Sequence, residues 1–207
     1  MNFNYKTYDV IVIGAGHAGC EAALASARMG CNTLLLTIDM DKIATMPCSP
    51  SIGGMAKGQL VKEIDALGGQ MAKITDSSAI QYKTLNTRKG PAVHSTRTQN
   101  DKALYSKNMK AAIEKTKHLD LKQAMAKALL LENNMVTGIM DHTGFEYFAR
   151  AIVIAAGTFL KGMVHIGASK TAAGRAGEFS SVSLAQNLAG IGFNIGRMKT
   201  GTPPRIH

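Results

Sequence analysis

Six residues near the start of the chain, Gly14-Ala15-Gly16-His17-Ala18-Gly19, have the spacing G-x-G-x-x-G. Glycines at these intervals work by leaving room. The first permits a tight turn, the second lets backbone approach a diphosphate, and the third lets a helix pack close to a strand. The N–H groups at the start of that helix, with its dipole, then hold the anion. Farther on, Pro47-Cys48-Ser49-Pro50-Ser51-Ile52-Gly53-Gly54 sets one of three cysteines in a loop of prolines and glycines. A thiol held as thiolate can act there as a nucleophile, or the thiol as an acid or base. The plainer alternative is a small side chain filling a loop. A third group, Arg97, Gln99 and Asp101, opens a helix-like run. A guanidinium there can bind a carboxylate or phosphate; a capped helix with a solvated arginine explains the same residues.

These residues need elements to position them. Residues 8–13 (YDVIVI) are a β-branched run of the kind that forms a buried parallel strand. A helix is predicted over 18–29, stopped by Gly30, and a second strand over 33–37. Strand, tight turn, helix and strand make a right-handed βαβ unit, the context in which G-x-G-x-x-G means dinucleotide binding. The acidic residue that should meet a ribose hydroxyl is missing. Thr37 stands in its place and can serve through its hydroxyl or backbone.

The Cys48 loop follows the second strand, so it is expected at the carboxyl edge of the sheet, where open α/β folds bind ligands. A helix from about 55 to 67, with Leu60, Val61, Ile64 and Leu67 on one face, would aim its N-terminus at that loop. The N–H groups of Gly53, Gly54 and Met55 could then stabilise an anion or thiolate. Residues 75–100 read as polar loop, and 100–117 as a helix capped by Asn100 or Asp101. Residues 118–150 read as an antiparallel meander beginning at 119–121. A buried strand at 151–156 ends at Gly157-Thr158. From 159 to 207 the chain reads as irregular and glycine-rich, with one helix at 182–188. Its last residues, Gly201 to His207, read as a stop in mid-course. The class expected is α/β: a glutathione-reductase-type FAD-binding Rossmann domain with an antiparallel meander, truncated.

Composition narrows the function. The 207 residues carry 24 Lys and Arg against 14 Asp and Glu, a formal charge of +10. That excess favours an anionic partner, a nucleic acid or a phosphorylated cofactor. Lys57, Lys62 and Lys89 are candidates for phosphates, with solvated surface as the ordinary alternative. Three cysteines without C-x-x-C spacing argue against a disulfide framework or a zinc site. No run nears the roughly 18 apolar residues of a membrane span, and the polar start has no leader character. Cytoplasm is the expected location, with no metal.

The segments YDVIVIGAGHAGCEAA, CSPSIGGMAKGQLVKEIDALGG, KGPAVHSTRTQNDKALY, GTFLKGMVHIG and GRMKTGTPPRI together resemble, in that order, the tRNA-modifying flavoprotein family MnmG, also called GidA. The chain is similar, more weakly, to the folate-dependent tRNA methyltransferases TrmFO, which share the glycine turn but not the SPSIGG block. The MnmG resemblance implies a flavoenzyme that works with an MnmE-type GTPase on the wobble uridine of tRNA, as a homodimer. Methylene-tetrahydrofolate and NADH are its co-substrates, and FAD is its bound cofactor. It implies that Gly14 to Gly19 hold the FAD diphosphate, that the Met125 backbone reads the adenine edge, and that Ser181 contacts the flavin, although Ser181 is equally placed to cap a helix. Gly157 and Thr158 would pass near the cofactor. Gly53 and Gly54 would let backbone approach the isoalloxazine. Arg97, Gln99 and Asp101 match the family's R-x-Q-x-D block and become candidates for substrate, and Cys48 becomes a candidate catalytic thiol. His17, inside the glycine turn, is expected to pack rather than act as a base. Three positions depart from the family pattern: Ser49 follows Cys48 where asparagine is usual, His94 replaces an arginine, and Ala155-Ala156-Gly157 replaces Ala-Thr-Gly. The resemblance also implies longer relatives, with further domains beyond His207. A different flavin or nicotinamide oxidoreductase, and a non-catalytic flavin-binding fragment, remain the other classes.

Overall fold

The structure, a computed structural model, describes residues 6–201. Met1 to Tyr5 and the segment Thr202 to His207 lie outside the described residues. In chain order the elements are β1 (Thr7–Ile13), α1 (His17–Arg28), β2 (Thr33–Thr37), β3 (Ser51–Gly53), α2 (Lys57–Ala66), α3 (Met71–Ser78), β4 (Ala79–Leu85), β5 (Ser95–Asn100), α4 (Lys102–Lys115), β6 (Leu119–Gln123), β7 (Ala126–Glu132), β8 (Met135–Asp141), β9 (Glu146–Ile154), β10 (Val164–Ile166), β11 (Ser169–Thr171) and α5 (Val182–Gly190). They divide into two compact units. Among the described residues, one holds 6–41 with 117–198, and the other holds 42–116 with 199–201.

The first unit is built on a six-stranded sheet in the order β6-β2-β1-β9-β8-β7. β1 and β2 pair in parallel, and the β-branched and leucine side chains of both strands form its core with Ile139, Leu184 and Leu188. α1 ends as its sequence suggests. Gly30 adopts φ +86, its N–H donates to Ala27 O, and the Cys31 N–H donates to Ser26 O. This is the paired closure that a glycine after the last turn allows. Tyr8 on β1 donates to the Asp120 carboxylate on β6 at 2.8 Å, which also meets the Lys6 ammonium. Burial, with that bond, pushes the Tyr8 hydroxyl pKa up.

Two expectations for this sheet are corrected. Residues 119–121 are not the first strand of a meander; they lie in β6, which pairs in parallel with β2 from Thr33↔Leu119 to Thr37↔Gln123. The segments read as 145–148 and 151–156 are one strand, β9. Its start pairs antiparallel with β8, and from Phe148 to Ile154 it pairs in parallel with β1. The run at 151–156 is also open rather than buried, with Val153 and Ile154 exposed. A β-branched run reports fitness for a ladder, which β1 supplies, and says less about what covers it. In the glycine-rich tail the structure adds the hairpin β10–β11 to the predicted helix, here α5.

The turn between β8 and β9 is held by the buried Asp141. Its carboxylate accepts from the Thr143 hydroxyl at 2.6 Å and from the N–H groups of Thr143 at 2.8 Å and Phe145 at 3.1 Å. Burial works against the charge, but these bonds outweigh it and hold the carboxyl below its usual pKa. A lowered folded-state pKa gives stability that is present above the unfolded value of about 3.9 and is lost as pH falls below it. Asp120 acts in the same direction: its burial is outweighed by bonds from Lys6 and Tyr8. The wild-type chain is therefore expected to lose stability below about pH 4, and Asp141→Asn to flatten that loss. Urea unfolding midpoints between pH 3 and 6 check it, and parallel curves for the two proteins would contradict it.

The second unit corrects the sequence reading most. Residues 75–100 are not a polar loop. They carry the end of α3 and the strands β4 and β5, in a three-stranded antiparallel sheet of order β3-β5-β4. β5 buries Ser95, Thr98 and Asn100. Asn100 donates to Thr75 O and Ser78 Oγ and accepts from Thr98 Oγ1. Such a strand meets its buried polar groups with hydrogen bonds, and a hydrophobic pattern does not register it. α4 buries Tyr105, Met109 and Ile113 along one face. α2 has the predicted period, yet Leu60 and Leu67 are exposed. Its buried residue is Gly58, where an added Cβ would lie 2.2 Å from Ser95 Oγ.

Candidate functional site

β1, β2, β6 and β9 run parallel, so their carboxyl ends lie along one edge of the sheet. The connections diverge between β1 and β9, one leading outward through β2 and the other toward β8 and β7. A divergence of this kind opens the crevice in which doubly wound sheets bind ligands. The glycine turn sits there. Gly14 has φ +102, and a Cβ on it would lie 2.6 Å from Ala155 O at the end of β9. Gly19 is packed tightest of all: a Cβ would stand 1.7 Å from Gly14 O. The third glycine therefore serves mainly to let the helix close on the turn itself. Gly16 differs, since an added Cβ meets nothing within 4 Å.

Gly16 is also the N-cap of α1, with no side-chain cap and no acidic residue in the first turn. The start of the helix is thus left without an anion of its own, beside open space. That arrangement fits a diphosphate. Gly16 and Ala18 are exposed here, while Ala15 and Gly19 are buried and His17 is half-buried. Cys20, one turn on, is buried and turns its thiol to Ala15 O.

The other predicted cofactor residues of this unit gather at the same edge of the sheet. Thr37 ends β2; its hydroxyl donates to Asp39 O at 3.1 Å, and its carbonyl accepts from the Ala124 N–H. Both groups named for a ribose are therefore engaged locally. Met125 follows β6, and its carbonyl accepts from the His142 N–H at 2.9 Å. Gly157 and Thr158 follow β9 in a short exposed 3-10 turn. Ser181 joins these last two places. Its N–H donates to Phe159 O, and its hydroxyl donates to Ala126 O at 3.3 Å. Although it stands at the N-cap of α5, its side chain makes no cap bond.

The remaining candidates lie together in the second unit. β3 and β5 pair as Ser51↔Gln99 and Gly53↔Arg97, bringing two segments far apart in sequence onto one small sheet. Ser49 donates to Ser51 Oγ at 2.8 Å, and Ser51 donates to Gln99 Oε1 at 2.9 Å. The residue that departs from the family pattern thus joins a hydroxyl chain leading to Gln99. Cys48, beside it, is exposed. Gly53 has φ +83, and a Cβ would fall 2.3 Å from Thr96 O, so β5 by itself requires a glycine there. The Gly54 N–H donates to Thr96 O at 2.9 Å. It is spent on the sheet, contrary to the expectation that it would serve an anion, and α2 begins at Lys57 rather than Met55. Arg97 Nε is buried without a hydrogen-bond partner. Asp101 caps α4, accepting from the N–H groups of Ala103 and Leu104, which accounts for it structurally.

Sequence reasoning missed Lys83 and Arg88, cations of the β4–β5 hairpin. The available signal was the lack of any carboxylate from 77 to 100. Among the described residues no group of three or more His, Cys, Asp and Glu could hold a metal ion. No helix among them is long and apolar enough to cross a membrane.

Comparison with known proteins matches this geometry. The family model described as glucose inhibited division protein A matches residues 9–207. The tRNA uridine 5-carboxymethylaminomethyl modification enzyme MnmG of Syntrophobacter fumaroxidans is 60% identical over 199 residues, spanning 96% of this chain and 31% of that protein. The GidA crystal structure from Aquifex aeolicus superposes with a TM-score of 0.93 at 47% identity, covering 96% of this chain and 33% of that one. At 12% identity and a TM-score of 0.52, the fold extends to PqsL, a probable FAD-dependent monooxygenase of Pseudomonas aeruginosa, over 71% of this chain and 42% of that one. The chain thus spans about a third of the length of its similar relatives and carries an FAD-type α/β fold. With a family model matched over 9–207 and the glycine turn formed as its residues require, the chain belongs to the glucose inhibited division protein A (GidA, or MnmG) family.

Proposed function

We propose that this chain is the FAD-binding part of a flavoenzyme that modifies the wobble uridine of tRNA at C5 with an aminomethyl or carboxymethylaminomethyl group. The observation that carries the reading is the uncapped helix start beside Gly16, set at the point where the sheet order diverges. The family, and the activity for which a relative 60% identical is named, supply the substrate class. Gly14 to Gly19 would hold the diphosphate, and the segments at Thr37, Met125, Gly157-Thr158 and Ser181 would border the rest of the cofactor. Bound FAD supplies the redox chemistry; the chain's part is to bind it, orient it and keep water away.

In the reaction of the longer enzyme, methylene-tetrahydrofolate supplies the one-carbon unit, glycine or ammonium the amine and NADH the reducing power. An MnmE-type GTPase is the partner, and the working form is a cytoplasmic homodimer. Arg97 and Gln99 are proposed to meet substrate, with Cys48 the candidate thiol beside Ser49. The test has two parts. Purified chain should bind FAD, seen as flavin absorbance that survives gel filtration. Supplied with the GTPase and GTP, NADH, methylene-tetrahydrofolate, glycine or ammonium as the amine, and unmodified tRNA, it should form no modified uridine detectable by nucleoside mass spectrometry. Absence of flavin binding, or tighter binding of NAD than of FAD, would overturn the cofactor assignment. Robust modification by the chain alone would overturn its assignment as only the cofactor-binding part.

A further inference from the structure

The positive charge of the chain is unevenly placed. Residues 42–116 hold twelve Lys and Arg against five Asp and Glu, whereas 1–41 and 117–198 hold ten against nine. Within the basic unit, the stretch from Ser77 to Asn100 contains Lys83, Arg88, Lys89 and Arg97 and no carboxylate. Solvated surfaces ordinarily mix the two signs. A run of one sign repels itself unless an anion meets it.

The structure places all four cations on one hairpin. Lys83 on β4 stands directly opposite Arg97 on β5, and like charges in facing register weaken a sheet. Lys83, Arg88 and Lys89 are exposed, and among the described residues none of the four is in an ion pair. The loop that carries Arg88 and Lys89 is built rather than slack. Asn86 takes φ +61, and its carbonyl accepts from the Lys89 N–H at 2.9 Å. The Asn86 amide donates to Val93 O at 3.1 Å, Pro91–Val93 form a 3-10 turn, and His94 Nε2 lies 3.1 Å from Lys89 O. A loop fixed in this way loses little entropy when it binds.

We propose that the β4–β5 hairpin is a phosphate-gripping prong for structured RNA, with Arg88 and Lys89 at its tip and the Lys83–Arg97 pair at its base. The proposal rests on the tRNA reading above and names the surface that would meet the RNA. Backbone phosphates suit it because they present anions in a row to cations in a row. A membrane surface would use an apolar face beside the cations, and Ile80, Tyr82 and Val93 are exposed on this hairpin, so lipid binding is one of the outcomes of the test. Each lost phosphate contact lowers the slope of log affinity against log salt by about 1.

The test is fluorescence anisotropy of the intact 207-residue chain with an unmodified tRNA transcript over a potassium chloride series. Arg88→Ala/Lys89→Ala is expected to lower the slope by about 2, and Lys83→Gln, an independent variant outside the loop, by about 1. The control Lys127→Ala/Lys170→Ala removes the same charge from the other unit and should leave the slope unchanged; matching melting curves establish that the variants fold. Equal losses in hairpin and control variants would overturn the prong in favour of diffuse charge. An unchanged slope in the hairpin variants, with tight wild-type binding, would overturn the prong and leave the tRNA reading standing. Failure of the wild-type chain to bind RNA even at low salt would defeat both. Loss of binding to phosphatidylserine vesicles with RNA affinity intact would assign the hairpin to a membrane and overturn the proposal.

Discussion

Gly19→Ala is expected to lower the melting temperature of the chain by roughly 6–12 °C. The methyl group would stand 1.7 Å from Gly14 O, and both the helix and the turn it strikes are backbone. Overpacking a core with one extra methyl destabilises by about 1–3 kcal/mol when side chains can rotate away. Here nothing can rotate. α1 must slide, and Gly14 is itself held by its N–H bond to Leu36 O and by contact with Ala155. The loss should therefore be about 3 kcal/mol or more, a large part of a typical domain's stability of roughly 5–15 kcal/mol. Calorimetry checks this, and a shift of under 2 °C would mean that the turn yields more readily than its bonds indicate.

Gly16→Ala should behave in the opposite way. A Cβ at this position meets nothing within 4 Å, and φ −73 with ψ −176 suits alanine as well as glycine. Stability should fall by less than about 1 kcal/mol, the scale of a changed N-cap. FAD affinity should fall by at least about 100-fold, or about 2.7 kcal/mol, because the methyl occupies the approach to the diphosphate. Isothermal titration with FAD, run beside thermal melts, separates the two effects. Equal FAD affinity in Gly16→Ala and wild type would move the cofactor away from this turn. The two glycines of one motif thus predict different failures, one of folding and one of binding.

The sequence disclosed the first βαβ unit because its side chains are sorted by burial. Ile11, Val12, Leu34 and Leu35 are fully buried, and Gly14, Gly19 and Gly30 mark its turns. It did not disclose the small sheet of residues 51–100. There β4 is exposed along most of its length, and β5 buries serine, threonine and asparagine whose partners lie on other elements. Hydrophobic periodicity measures apolar burial alone, so both strands read as loop. The parallel pairing of β6 with β2 was hidden for another reason: five residues of LDLKQ fit either ladder, and only the partner decides. Of the site, the glycine turn was legible from spacing. The link between Ser51 and Gln99 depends on strand register and could not be read locally.

β9 carries one more consequence, for the order in which the molecule is made. Thr7 pairs with Phe148, so β1 leaves the ribosome 141 residues before the strand that completes its other side. At about 5–20 residues per second, that wait is roughly 7–28 s. β2 can cover one edge of β1 at once, but the other stays unpaired and apolar through the interval, a template for stray strands. Residues 42–116, the larger part of the other unit, are contiguous and can form their sheet of β3, β5 and β4 while β1 waits. Nascent chains halted before residue 146 should therefore depend on chaperones at the first strand, while their later, basic half is already folded.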